Sequence, residues 1–239
     1  MRPPSSPAVT AVIAAAGSGE RLGAGGPKAF VPVAGRPMVE WSIAAFRACE
    51  SVHSIVVAAP PGHVGDLGGH DLGVVPGGAT RAQSVANALE AVGTAYVAVH
   101  DAARPLLTPE LAEALVADLD ANEDAAGVIA AAPVTDTIKR ATENSSADLS
   151  TSGVPNSALK ILTTEDRSRL WRAQTPQVFR TDRLREALVT GERPEEATDE
   201  AMLVEAAGGT VLIHPVAEQN LKVTTLLDLR IAELLLAER

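Results

Sequence analysis

The chain has 239 residues, of which 46% are hydrophobic, 21% charged and 3% aromatic, the balance of a globular protein and not of a disordered or fibrous one. No apolar run approaches the roughly 18 to 20 residues that cross a bilayer, and the start, Met1-Arg2-Pro3-Pro4-Ser5-Ser6-Pro7, lacks the apolar stretch of a secretory signal; a cytoplasmic protein that does not engage a membrane is expected. Lys and Arg number 20 against 30 Asp and Glu, a net charge of -10, which disfavours nucleic acid as a partner and directs attention to the few places where cations interrupt an acidic background.

Apolar segments alternate with helical patterns along the whole chain. The first predicted strand, Val9 to Ala15, runs into Ala15-Ala16-Gly17-Ser18-Gly19-Glu20-Arg21-Leu22, with Lys28 closing the loop. Small residues let the backbone approach an anion closely, so that its N–H groups act as donors. The pattern is not a Walker A motif, because Lys28 follows Pro27 and precedes Ala29. Nor is it the dinucleotide fingerprint, whose third glycine position is occupied by Leu22. What remains is a flexible loop delivering one guanidinium, Arg21, and one ammonium, Lys28, to a common anion.

Behind Pro37, the residues Val39, Ile43 and Phe46 form a helical stripe. Strands follow at Ser54 to Ala59 and Leu72 to Val75, and then Gly77-Gly78-Ala79-Thr80-Arg81-Ala82-Gln83-Ser84 opens a helix running toward Glu90. The strand Ala95 to His100 ends in His100-Asp101-Ala102-Ala103-Arg104-Pro105, an acid and a base at a strand end with room beside them. A capped helix with Leu111, Leu115 and Leu119 begins at Thr108-Pro109, and a strand at Gly127 to Ala132 leads to Thr135-Asp136-Thr137-Ile138-Lys139. The stretch Thr142 to Asn156 is poor in apolar residues and reads as an extended loop or projecting arm. After Asp166-Arg167, Gln174-Thr175-Pro176-Gln177 and a strand at Thr210 to His214, Asn220-Leu221-Lys222-Val223-Thr224 precedes a helix over Thr225 to Glu238 with a Thr225/Asp228 capping box and an apolar stripe of Leu227, Ile231, Leu234 and Leu235.

Unbroken apolar strands imply burial on both faces, hence a three-layer α/β sandwich with a mainly parallel sheet and ligands at the carboxyl ends of its strands. The single Cys49 forms no internal disulfide, and His53, His63, His70, His100 and His214 show no metal-ligand spacing, so no metal ligands are expected from the chain itself.

Taken in order, Ala15-Ala16-Gly17-x-Gly19-x-Arg21-x6-Lys28, Gly77-Gly78, Asp101-Ala102-Ala103-Arg104, Asp136-Thr137-x-Lys139, Thr175-Pro176-Gln177, Thr198-Asp199-Glu200 and Lys222-Val223-Thr224 resemble the 2-C-methyl-D-erythritol 4-phosphate cytidylyltransferases. The likeness spans nearly the whole chain. It implies a single Rossmann-like nucleotidyltransferase domain over residues 1–239, with 138–168 a projecting arm exchanged across a homodimer. It also implies transfer of CMP from CTP to the phosphate of 2-C-methyl-D-erythritol 4-phosphate, releasing pyrophosphate in non-mevalonate isoprenoid synthesis, with Mg2+ held mainly through the CTP phosphates.

The same resemblance assigns roles by position. Ala15, Ala16, Gly17 and Gly19 would hold CTP phosphates through their backbone, while Arg21, Lys28 and Lys222 would surround the α-phosphate. Gly78, Ser84 and Ala102 would contact cytidine and ribose. Asp101 would take the acceptor's hydroxyls, with Arg104 in the same acceptor-binding set, and Thr137, Arg167 and Thr175 would grip its phosphate, the first two from the partner's arm. The chain departs from the family pattern at Ala14, where proline is usual, at Ala79, where an acidic residue is common, and in a longer arm between Thr137 and Arg167. The competing readings are a cytidylyltransferase for ribitol 5-phosphate or another sugar phosphate, a catalytically silent nucleotide-binding module, and a dehydrogenase of Rossmann type, which the missing glycine disfavours.

Overall fold

A computed structural model describes residues 7–17, 19, 22, 26–68, 72–142, 158–190, 197–217 and 220–238. In chain order it contains β1 (Val9–Ala14), a short hairpin of β2 (Pro32–Val33) and β3 (Arg36–Pro37), α1 (Met38–Arg47), β4 (Val52–Ala59), β5 (Leu72–Pro76), α2 (Arg81–Leu89), β6 (Tyr96–Asp101), α3 (Pro109–Asp120) and β7 (Gly127–Pro133). There follow β8 (Lys139–Ala141), β9 (Ile161–Thr164), β10 (Trp171–Arg180), α4 (Thr181–Thr190), α5 (Glu200–Ala206), β11 (Val211–Pro215) and α6 (Leu226–Ala237).

The strands β1, β6 and β7 are buried along nearly their whole length and β4 from Ile55 to Ala59, and Val, Ile and Ala predominate in the buried stretches, as a sheet covered on both sides requires. Seven strands form that sheet in the order β11-β7-β10-β6-β1-β4-β5. All neighbours are parallel except at β10, which runs antiparallel to both β6 and β7. Alternate residues of β1 enter different cores: Val9, Ala11 and Ile13 meet Val39, Ile43 and Phe46 of α1 and Leu115 and Leu119 of α3, whereas Val12 joins Val85 of α2, Leu184 of α4 and Val204 of α5. Three layers result, as expected for this α/β class.

Two elements differ from the sequence-based expectation. The strand β10 was legible only as the polar segment around Gln174-Thr175-Pro176-Gln177. Its proline is accommodated at a register shift between Ala173 and Gln177, the kind of interruption at which a strand tolerates a residue lacking an N–H. In α6 the expected apolar stripe mostly points outward: Leu227, Ile231 and Leu234 are exposed. The helix seats instead through Leu229, Ala232, Leu235 and Leu236, against Leu22, Val33 and Met38 beside the β2–β3 hairpin. Leucines occupy both faces of this helix, so spacing alone does not select the buried one. Its capping box, Thr225 with Asp228, is present as expected.

The segments β8 and β9 pair antiparallel in a two-stranded sheet separate from the main one. They carry the exposed apolar side chains Leu159, Ile161 and Leu162 on and beside them. Most of the stretch Thr142 to Asn156, read above as an extended loop, lies outside the described residues. No helix among the described residues is long and apolar enough to cross a membrane.

Candidate active site

The chain order β1, β4, β5 proceeds to one side of β1, and β6 then pairs with its other side. A reversal of this kind opens a crevice at the carboxyl ends of the two strands, the usual ligand position in such sheets. A cavity of about 420 Å³ lies there, and its lining draws on Ala14 to Gly17 after β1, Gly78 to Arg81 before and at the start of α2, Asp101 to Ala103 at the end of β6, and both Lys28 and Lys222.

Local geometry explains the glycine requirement. Gly19 has a φ of +74°, and a Cβ there would fall 2.8 Å from the Cβ of Lys28, so the loop can fold back on itself only with glycine. The backbone N–H of Lys28 donates to the carbonyl of Gly17 at 3.2 Å, which sets Lys28 at the cavity wall. On the opposite wall, a Cβ on Gly77 would stand 2.3 Å from that of Ala16, so the two loops touch. The Ser84 hydroxyl donates to the Thr80 carbonyl at 2.9 Å and accepts from the Gly78 N–H at 3.0 Å. Ser84 thereby fixes the Gly78 loop, while the Thr80 side chain caps α2.

Charge is organised around Asp101. Its Oδ1 accepts from Arg81 Nε at 2.8 Å and its Oδ2 from Lys222 Nζ at 2.7 Å. Arg81 extends its Nη1 to Glu200 Oε1 at 2.6 Å. Burial alone would raise the Asp101 carboxyl, but the charges and hydrogen bonds of Arg81 and Lys222 outweigh it and hold Asp101 well below the usual carboxylate range. For Glu200 burial prevails over Arg81, and its carboxyl is pushed upward.

A second, smaller cavity of about 190 Å³ adjoins the first, sharing Arg81, Asp101 and Lys222 and adding Arg104, Gln174, Thr175 and Asp199. Arg104 reaches the Asn220 carbonyl with Nη1 at 2.7 Å, and its Nε is buried with no hydrogen-bond partner. The Asn220 side chain donates to the Thr175 carbonyl at 2.7 Å, and the Val223 N–H to the Ala103 carbonyl at 2.8 Å. These bonds tie the segment carrying Lys222 to the end of β6. The Thr175 hydroxyl accepts from the Asp101 N–H at 3.0 Å and lies 3.0 Å from His100 Nδ1, so it already orients the site acid from behind.

His100, grouped with Asp101 in sequence, does not reach the cavity. It is wholly buried, packs edge-on against Phe46 and has its Nε2 3.2 Å from the Arg104 carbonyl. Burial lowers its pKa to about 4, so it is a neutral core residue that positions Thr175.

The structure thus gathers Ala15, Ala16, Gly17, Lys28, Gly78, Ser84, Asp101, Ala102 and Lys222 around one cavity, and Arg104 and Thr175 around its neighbour. Gly19 sits behind Lys28. Thr137 and Arg167 line neither cavity; both are exposed at the base of the arm, where Arg167 Nη1 donates to the Thr135 carbonyl. Arg21 lies outside the described residues. Arg81, Glu200 and Gln177 also support the site, although the motifs that contain them, Gly77 to Ser84, Thr198-Asp199-Glu200 and Thr175-Pro176-Gln177, point to no role for them. Gln177 links β10 to α5, donating to Asp199 Oδ2 at 2.9 Å and accepting from the Ala201 N–H at 3.3 Å.

The family model described as IspD, 2-C-methyl-D-erythritol 4-phosphate cytidylyltransferase, matches residues 9–238. The chain belongs to this family. Its relatives include the enzyme of that name from Symbiobacterium thermophilum, 42% identical across 96% of this chain and 93% of the relative, and that from Frankia casuarinae, 41% identical across 98% of this chain and 84% of the relative. The fold is likewise similar to the crystal structure of the Thermus thermophilus cytidylyltransferase, with a TM-score of 0.73 at 34% identity over 95% of this chain and 98% of that one. The Francisella tularensis structure gives 0.77 at 26% identity, covering 95% and 99%. As a cytidylyltransferase, this member of the family is a nucleotidyltransferase, with a mostly parallel Rossmann-like sheet as its scaffold.

Proposed function

We propose that the chain joins CTP to 2-C-methyl-D-erythritol 4-phosphate, giving 4-diphosphocytidyl-2-C-methyl-D-erythritol and pyrophosphate, as a cytoplasmic homodimer. The observation that carries this reading is the convergence of Lys28 and Lys222, 194 positions apart in sequence (222 minus 28), on one cavity walled by phosphate-approachable backbone. In this reading Lys28, Lys222 and Arg21 surround the α-phosphate, Ala15 to Gly17 present N–H groups to the remaining phosphates, and Gly78, Ser84 and Ala102 frame the nucleoside. The adjoining cavity takes the acceptor, with its hydroxyls at Asp101.

The attacking group is a phosphate monoester whose second pKa is about 6, largely dianionic at neutral pH, so no general base is required. This accounts for a site built from cations, amides and carboxylates that are already engaged, Asp101 and Asp199, with His100 turned into the core. The barrier is electrostatic: an anion must approach phosphorus already surrounded by anionic oxygens. Fixed ammonium and guanidinium groups lower that repulsion and hold attacking and leaving oxygens in line.

Mg2+ fits this donor set as an ion carried by the nucleotide. Among the described residues no three His, Cys, Asp or Glu side chains cluster to hold a metal, and the carboxylate of the cavity, Asp101, is engaged by two cations. When bound through the phosphates, the ion supplies charge neutralisation there.

Thr137 and Arg167 complete the acceptor site from a partner's arm. Two features support arm exchange: their positions outside both cavities described above, and the exposed Ile161, Leu162 and Trp171 on and near the arm, an apolar surface of the kind that marks protein contacts. Pyrophosphate release with CTP and Mg2+, measured against a panel of alcohol phosphates, tests the reading. Turnover with 2-C-methyl-D-erythritol 4-phosphate is expected; preference for ribitol 5-phosphate would reassign the acceptor, and CTP binding without turnover on any acceptor would make this a silent nucleotide-binding module.

A further inference from the structure

The two cations on Asp101 are unequal. Lys222 carries its ammonium on a side chain that is 41% exposed, at the end of a four-carbon stem in a segment without regular secondary structure. Arg81 is the first residue of α2, directly after the cap residue Thr80, and its side chain is 25% exposed. Its guanidinium spans two carboxylates, Asp101 on β6 and Glu200 on α5.

Glu200 directs its side chain to Arg81. Its side chain is 1% exposed, and its Oε2 is buried without a hydrogen-bond partner. Such burial is costly unless a charge compensates, and Arg81 is the cation bonded to it. Its backbone is fixed as well: Asp199 caps α5 by accepting from the Met202 N–H at 3.0 Å and also receives Gln177. Glu200 therefore reaches Arg81 from an anchored helix start, and a planar guanidinium presents donors in a fixed fork suited to two such partners.

Asp101 and Lys222 line both cavities, so an anion bound in the first cavity competes with Asp101 Oδ2 for the charge of the Lys222 ammonium, which sits 2.7 Å from that oxygen. We infer that Arg81, anchored by Glu200, is a positioning residue that keeps Asp101 in one orientation and its charge compensated when Lys222 turns from that carboxylate to the nucleotide's α-phosphate. The inference rests on the reading above, in which Lys222 meets the phosphate and Asp101 the acceptor's hydroxyls. It divides the tasks: Arg81 stays, Lys222 moves, and the oxygen Lys222 leaves becomes available to the acceptor.

Two measurements separate this role from a structural one. In steady-state kinetics, Arg81→Met is expected to raise the KM for the alcohol phosphate about tenfold or more while the KM for CTP changes by less than about threefold, because the lost interaction acts through Asp101. Arg81→Lys should recover part of the loss, and Glu200→Gln, whose carbonyl still accepts from Arg81, should have a smaller effect of the same kind. Unchanged kinetics in a folded Arg81→Met protein, or an equal deterioration of both KM values with loss of melting temperature, would overturn the inference.

The second measurement needs no turnover and no Arg81 variant. In Lys222→Met, a carboxyl-carbon NMR titration reads Asp101 among its charged or titratable neighbours Arg81, Arg104, Glu200 and His100. Arg81 alone is expected to keep the titration below the ordinary value of about 3.9; a return to that value contradicts the inference. Should the wild-type chain show no turnover, the functional reading fails by itself, while the titration still decides whether Arg81 holds Asp101.

Discussion

The rim of the main sheet and the arm that leaves it are built on opposite plans. At the rim, side chains are tied in: Asp101 to Arg81 and Lys222, Thr175 to Asp101 and His100, and Asn220 to Arg104 and Thr175. At the arm, β8 and β9 pair with each other, and Ile161 and Leu162 face outward. The difference separates what one chain can organise alone from what, in the proposed dimer, it offers to a second copy. Rim variants should therefore act on chemistry within a folded protomer, and arm variants on assembly and acceptor capture.

The largest expected effect is at the rim. Lys28→Ala should lower turnover by roughly 10^2 to 10^3, by analogy with removal of other preorganised electrostatic stabilisers, with an unchanged circular dichroism spectrum; near-normal pyrophosphate release would break the account of the cavity. Behind the rim, His100 provides a pH test. Its folded pKa, lowered by burial to about 4, lies below the unfolded value of about 6.5. The unfolded chain binds the proton more readily, so this contribution to stability is complete above about 6.5 and is lost as the pH falls toward 4, on the order of 3 kcal/mol in all. A melting temperature that fails to fall across that interval more steeply than in a His100→Gln variant would contradict the assignment of His100 as a neutral core residue.

The arm supplies the next contrast. Arg167→Ala should raise the acceptor KM by roughly tenfold to a hundredfold, the loss of a charge-assisted phosphate contact, and leave CTP binding alone. Ile161→Asp should separate the dimer in sedimentation experiments without unfolding the protomer. An intact dimer would shift the proposed interface away from the arm. The smallest effect belongs to the cap of α6: Thr225→Ala removes it and should cost about 1 kcal/mol of stability, with any change in turnover far below that of Lys28→Ala because Asp228 still accepts from the Thr224 N–H behind Lys222, as measured by chemical denaturation alongside the activity assay.

Legibility in the sequence follows the same division. The strands β1, β4, β6 and β7 announced themselves because burial on both faces demands continuous apolar residues, and α3 because Thr108-Pro109 starts it. The strand β10 did not, since Thr175 and Gln177 are polar for reasons of wiring: Thr175 bonds to the end of β6, and Gln177 to Asp199 and the start of α5. The face of α6 was misjudged because its leucines surround the helix. At the site, positions that line the main cavity, such as Gly78, Lys28 and Lys222, were readable from their motifs. Arg81 and Glu200 were not, because their meaning lies in a bond between residues 119 positions apart, which no local spacing encodes.

The most direct test of the central claim is a crystal structure with CTP and Mg2+ bound. The expected result places both Lys28 Nζ and Lys222 Nζ within about 3 Å of non-bridging oxygens on the α-phosphorus, with Arg81 still on Asp101. An α-phosphate remote from both ammonium groups would contradict it.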